Sequence, residues 1–153
     1  MKPIRMLRHL LLPDWFVGRV FPRADLAAIG DAIAAGEKSH RGELRFVVEA
    51  AMPLAALWRD QSPRARAVDL FSTLRVWDTA ENSGILIYVQ LVEHRVEILA
   101  DRGIAARVAQ AEWDGICREM ETSFRQGQWR DGALRAVTRA GALLAQHFPA
   151  GAN

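Results

Sequence analysis

Asp78, Glu81 and Asn82 stand within five residues of one another in DTAENSG, directly ahead of the apolar run GILIYVQL at 84–91. Two carboxylates and a carboxamide at this spacing offer hard oxygen donors, the kind that suit Ca2+ or Mg2+. A bound ion of this type can polarise a phosphoryl oxygen or activate water. Asp101 adds a carboxylate at the far end of RVEILAD, while His40 and Glu43 in HRGE offer groups able to accept a proton. The candidate metal ligands are therefore Asp78, Asn82 and Asp101, and the candidate proton acceptors are Glu43 and His40. The same residue types have an ordinary use, because Asp and Asn at strand and helix ends accept backbone hydrogen bonds in turns. The loop is not an EF-hand. Ala80 stands at its third position, the glycine falls one place late and the twelfth position is Val89.

Other chemistries are absent from the sequence. It has no G-x-S-x-G elbow, phosphate-binding glycine loop or dinucleotide fingerprint. The single cysteine, Cys117, cannot form an internal disulfide, and it sits in an apolar helical stripe with no flanking histidine, as a core thiol would. The net charge is +2, unevenly spread. Residues 1–23 carry Lys2, Arg5, Arg8, Arg19 and Arg23 against Asp14 alone, a local charge of +4 that leaves −2 on the rest. This is too dilute for a nucleic-acid groove. It suits an anionic membrane surface or a membrane-associated protein partner approached through residues 1–20. The Leu10–Leu12 run is broken by Pro13-Asp14 with no small-residue cleavage site after it, so it does not read as a signal peptide. No stretch reaches the roughly 18–20 apolar residues of a membrane span. The expected location is the cytoplasm, peripheral to the inner membrane where the arm engages it.

The elements that must position these residues follow from periodicity. At 153 residues the chain fits one domain with a real core, preceded by a basic arm (1–23) and followed by a short tail (150–153). The arm holds a short helix ended by Pro13. Leu26, Ile29 and Ile33 predict a helix over about 24–38, and alternation in ELRFVVEA predicts a strand at 43–50. Ser62-Pro63 opens a helix that runs to Leu74. GILIYVQL reads as a central strand covered on both faces, paired in a hairpin with RVEILA at 95–100. Trp113, Ile116, Cys117, Met120 and Phe124 mark a helix ended by Gly127, and Asp131 is a candidate cap for a last helix burying Leu134, Val137 and Leu144. This order predicts a three-layer α/β/α sandwich with a small mixed central sheet. With strands 43–50 and 84–91 parallel across a helical crossover, Glu37, His40, Glu43, Asp78, Glu81, Asn82 and Asp101 fall on one rim.

Four stretches carry a family resemblance: GELRFVVE, AVDLFSTLRVWDTAENSGILIYV, HRVEILADRGI and FRQGQWRDGALRAVTRAGALLAQHFP. Together they resemble the TPM domain family, which includes thylakoid-lumen phosphatase-like proteins of photosystem II repair and many bacterial proteins, over residues 24–149. The most specific parts are the N-x-G-hydrophobic strand entry at Asn82–Ile87, the charged hairpin strand at 95–100 and the F-x-x-G-x-W-x-x-G-hydrophobic pattern at Phe124–Leu134. The resemblance implies an α/β/α sandwich with a mixed sheet, divalent-cation association in some members and an attributed phosphatase activity. It also implies that Asp78, Asn82 and Asp101 form the family's acidic edge. Larger members carry a signal peptide and a C-terminal membrane anchor, for which this sequence offers no candidate. The stretch after the hairpin, ADRGI, has a single acid and a single glycine.

Two functions are therefore expected to compete. One is a non-catalytic accessory or interaction module of an envelope or membrane-associated system, with Ca2+ or Mg2+ at the acidic edge as an optional ligand. The other is a metal-assisted phosphomonoesterase built on that same edge.

Overall fold

The computed structural model describes residues 2–151. Two short helices, α1 (Pro3–Leu11) and α2 (Phe16–Val20), lead into α3 (Arg23–Glu37) and strand β1 (Glu43–Glu49). Helices α4 (Leu54–Trp58) and α5 (Pro63–Thr73) then carry the chain over to β2 (Gly84–Gln90), which turns into β3 (Arg95–Ala100). A single turn of helix, α6 (Arg102–Ala105), precedes the two longest helices, α7 (Gln110–Arg125) and α8 (Trp129–His147).

The sheet order is β1-β2-β3. β1 and β2 are parallel, with Glu43 opposite Gly84. β2 and β3 are antiparallel, with Ile85 opposite Ala100. Every residue of β2 is buried, as its unbroken apolar run requires. Its alternate side chains serve two cores. Ile85, Ile87 and Val89 join the large cluster with Ile29 of α3, Ile116 and Met120 of α7 and Leu144 of α8. Leu86 and Tyr88 point the other way, onto Ala67, Leu70 and Phe71 of α5. The result is the expected three-layer sandwich, with three helices on one face and α5 on the other.

Local chemistry sets the element ends. Ser62 caps α5 by accepting the Ala65 N–H at 3.0 Å, with Pro63 in the first turn. Gly127 takes a φ of +74° after α7, a left-handed conformation natural to glycine. The chain reverses there, and Trp129 stacks on Phe124 at 4.6 Å between centroids. Phe21 meets both rings edge-on, at 6.0 and 5.8 Å. The F-x-x-G-x-W pattern is thus a device for packing α7 against α8. Asp131, expected to cap α8, lies within its first turn, and Gln128 precedes the helix without a side-chain cap.

Candidate functional site

The rim where β1 and β2 begin and β3 ends gathers the three chain segments that carry the candidate ligands. Gly84 opens β2 because a Cβ there would come within 2.0 Å of the Val76 carbonyl oxygen. Just before it, Asn82 adopts a φ of 52°. Its carbonyl accepts the N–H groups of Gly103 at 2.8 Å and Ile104 at 3.3 Å, which ties the loop to α6. Gly103 has no room for a side chain, since a Cβ would lie 2.0 Å from the Glu81 carbonyl oxygen. Thr79 Oγ1 accepts the Ser83 N–H at 2.8 Å and closes the turn. The N-x-G entry to β2 is therefore set by close packing of backbone on backbone.

The acids of this rim are largely engaged. Arg75 holds the exposed Asp78 carboxylate at 2.8 Å. Arg41 grips Glu81 with two bonds of 2.6 and 3.2 Å, and that pairing holds the Glu81 carboxyl below its usual range. Arg45 donates to Glu43 at 2.7 Å. Asp101 caps α6 through Oδ1, which accepts the Arg102 N–H at 2.7 Å. Its other oxygen, Oδ2, is buried with no hydrogen-bond partner. His40 is buried and bridges to Pro149 across the start of β1. Burial pushes its pKa down, against weaker raising effects from the Gly42 backbone, Glu37 and Glu43. Its Nδ1 and the Ser83 hydroxyl are also buried without partners. Asn82 and Asp101 therefore meet through the backbone of α6, while Asp78 points to solvent on its own arginine. Among the described residues no three His, Cys, Asp or Glu side chains are grouped to hold a metal ion.

Cys117 is half-buried, and burial pushes its thiol up to about 12. An apolar cavity of about 460 Å3 lies at the other end of the sheet, between Leu91, Val96, Phe124 and Trp129, with His94 and Arg125 in its wall.

Residues 18–143 match the TPM domain family. The chain belongs to the TPM domain family. A solved relative, the BA42 protein of the psychrophilic bacterium Bizionia argentinensis, shares 31% identity and superposes with a TM-score of 0.71, over 82% of either chain. The N-terminal domain of a P. gingivalis protein shares the fold at 15% identity and a TM-score of 0.67, covering 92% of this chain and 95% of that one. The N-terminal domain of the cg2496 protein of Corynebacterium glutamicum shares it at 14% identity and 0.54, covering 80% and 72%. No curated protein matches.

The TPM match begins at residue 18, so α1 lies ahead of it. This helix turns its polar side inward. Arg5 and His9, four residues apart on one face, both reach Glu93 in the β2–β3 turn, His9 through Nε2 at 2.8 Å. His9 Nδ1 accepts the Met52 N–H at 3.0 Å, which places the ring proton on Nε2. Arg5 also holds Asp60 and the Gln61 carbonyl, and Arg8 donates to the Val92 carbonyl at 2.9 Å. Burial raises the Glu93 carboxyl, but the bonds from Arg5 and His9 outweigh it and hold the pKa low. On the opposite face Ile4, Leu7 and Leu11 are 75%, 54% and 71% exposed, and Leu10 and Trp15 are exposed as well. Sequence reasoning found the charge of this segment and missed its facing. The available signal was the Arg5/His9 spacing of four set against Ile4, Leu7 and Leu11.

Proposed function

We propose that this TPM-domain chain is a non-catalytic accessory module that docks to a membrane-associated assembly through α1. The observation that carries this reading is the outward apolar face of α1, held in place by the inward bonds of Arg5 and His9 to Glu93. A helix that turns Arg5 and His9 inward and exposes Ile4, Leu7 and Leu11 is built to be covered by something else. The engagement of Asp78, Glu81 and Glu43 by arginines agrees with a rim that holds the fold together. No helix among the described residues is long and apolar enough to cross a membrane. The test is sedimentation with isolated bacterial membranes. The native chain is expected in the pellet, and Leu7→Asp/Leu11→Asp in the supernatant with an unchanged circular dichroism spectrum. Equal partition of the two proteins overturns the assignment.

A second reading has its own support. Asp101 Oδ2 is buried and unpartnered beside the Asn82 loop, as an oxygen awaiting a cation would be. On this reading Asp78, Asn82 and Asp101 bind Ca2+ or Mg2+, with Glu43 or His40 as proton acceptor for phosphomonoester hydrolysis. Calorimetric titration with each ion should give heat for the native chain and none for Asp101→Asn, and metal-dependent cleavage of p-nitrophenyl phosphate should vanish in the same variant. Identical titrations for the two proteins would sink it.

A further inference from the structure

We propose that the partner covered by α1 is the anionic phospholipid surface itself, with the helix lying in the plane of the interface. This rests on the docking role of α1 and names what is docked to. The apolar ridge is one stripe, since Ile4, Leu7 and Leu11 follow the i, i+3, i+7 spacing of a single helix face. Near it stand cations that no carboxylate among the described residues neutralises. Arg8, on the flank of the ridge, donates to the Val92 carbonyl. Arg19 lies over the ring of Trp15, 5.5 Å from its centroid. Lys2 is exposed at the start of the helix. The cation whose charge would compete least for lipid, Arg5, is the one turned inward onto Glu93 and Asp60.

An apolar stripe with cations along its borders is what binds a headgroup–acyl boundary, the stripe entering the hydrocarbon edge and the cations meeting lipid phosphates. Trp15, four residues beyond Leu11, is 63% exposed, and an exposed indole is a common interfacial anchor. Two neighbouring features add apolar surface. Helix α4, on which Met6 of α1 packs, exposes Leu54 and Trp58. An apolar groove of about 310 Å3 runs from Leu11 and Leu12 past Phe16 to Leu91, with Arg8 in its wall. A groove of that size accepts part of one acyl chain while Arg8 meets its phosphate. A second copy of the chain would bring the same cations against themselves, and a basic protein surface would be repelled. Anionic lipid meets both the stripe and its borders.

The experiment is cosedimentation of the full chain with protein-free vesicles, one set of phosphatidylcholine alone and one containing phosphatidylglycerol, at low and moderate salt. The expected result is binding to the phosphatidylglycerol vesicles only, weakened several-fold by salt. Leu7→Asp/Leu11→Asp should lose at least tenfold in partition, and Lys2→Gln/Arg8→Gln several-fold, each keeping the native thermal midpoint. Equal binding to both vesicle types, or no loss in Leu7→Asp/Leu11→Asp, overturns the inference. So does a native dimer that Leu7→Asp/Leu11→Asp dissociates and that ignores vesicles, which would make the cover a second copy. Sedimentation with native membranes without binding to protein-free vesicles also overturns it, and in that outcome the docking role of α1 stands with a protein as its partner.

Discussion

Asn82, a candidate ligand, also shapes the backbone. Its φ of 52° lies in a region that costs most L-residues roughly 1–2 kcal/mol and that asparagine and glycine enter readily. Asn82→Gly should leave stability within a few tenths of a kcal/mol, while Asn82→Val should lose about 1–2 kcal/mol by urea denaturation. Should Ca2+ heat appear for the native chain and vanish in Asn82→Gly, the carboxamide is a ligand as well as a turn residue. His40 makes a second prediction. Its folded pKa lies below the ordinary 6.5, so below that pH the unfolded chain takes up a proton that the folded chain resists. The stability associated with His40 is therefore complete above about pH 7 and declines as the pH falls from 6.5 toward the lower folded value. Denaturation of the native chain and His40→Gln across pH 5–8 should show a shallower decline in the variant. Asp78, Asn82 and Asp101 were legible as rim residues because turn chemistry and strand order place them there. The pairing of their neighbour Glu81 was not, because it depends on an arginine set by tertiary packing: Arg41 is 40 residues from Glu81 in sequence.

At the scale of elements, the long periodic segments were legible and the short ones were not. Strand β3 spans Arg95–Ala100 as its sequence predicts, and α3, α5 and α7 end within a residue or two of their signals. Helices α2, α4 and α6, of five, five and four residues, are too short for a hydrophobic period to register. Nor did the sequence disclose the bond network that ties α5 to the sheet. Arg66 grips Glu49 with two bonds of 2.9 and 2.8 Å, and Tyr88 donates to the same carboxylate at 2.7 Å. Burial, with Glu49 alongside, drives the Tyr88 hydroxyl well above its usual range, so it remains a donor at any physiological pH. Tyr88→Phe should cost about 1.5–3 kcal/mol, the range for a hydrogen bond to a charged partner. Arg66→Ala should cost more, because it leaves Glu49 half-buried and unpaired. Chemical denaturation of both variants measures the order.

For the whole molecule, the two ends of the sheet face different tasks. The rim with Asp78, Asn82 and Asp101 lies where β1 and β2 begin, and α1 is fastened to Met52, Val92 and Glu93, just past where they end. Seven-residue strands separate these ends by about 20 Å. A chain lying on a membrane by α1 therefore holds its rim away from the lipid. With Cys117→Ser as background, a fluorophore on Asp78→Cys should be unaffected by brominated acyl chains, whereas one on Leu10→Cys should be quenched. Quenching at both positions would contradict this orientation.

The fastening of α1 has a calorimetric consequence. Its strongest ties to the body are ionic and hydrogen bonds to Glu93, Asp60, Met52 and Val92, with only Met6 packed on an apolar cluster. Detaching it exposes little hydrocarbon, so it should carry almost none of the heat-capacity increment that accompanies melting of the sandwich. The helix would thus stay in place as the sample is cooled, whereas apolar packing of the core weakens on cooling.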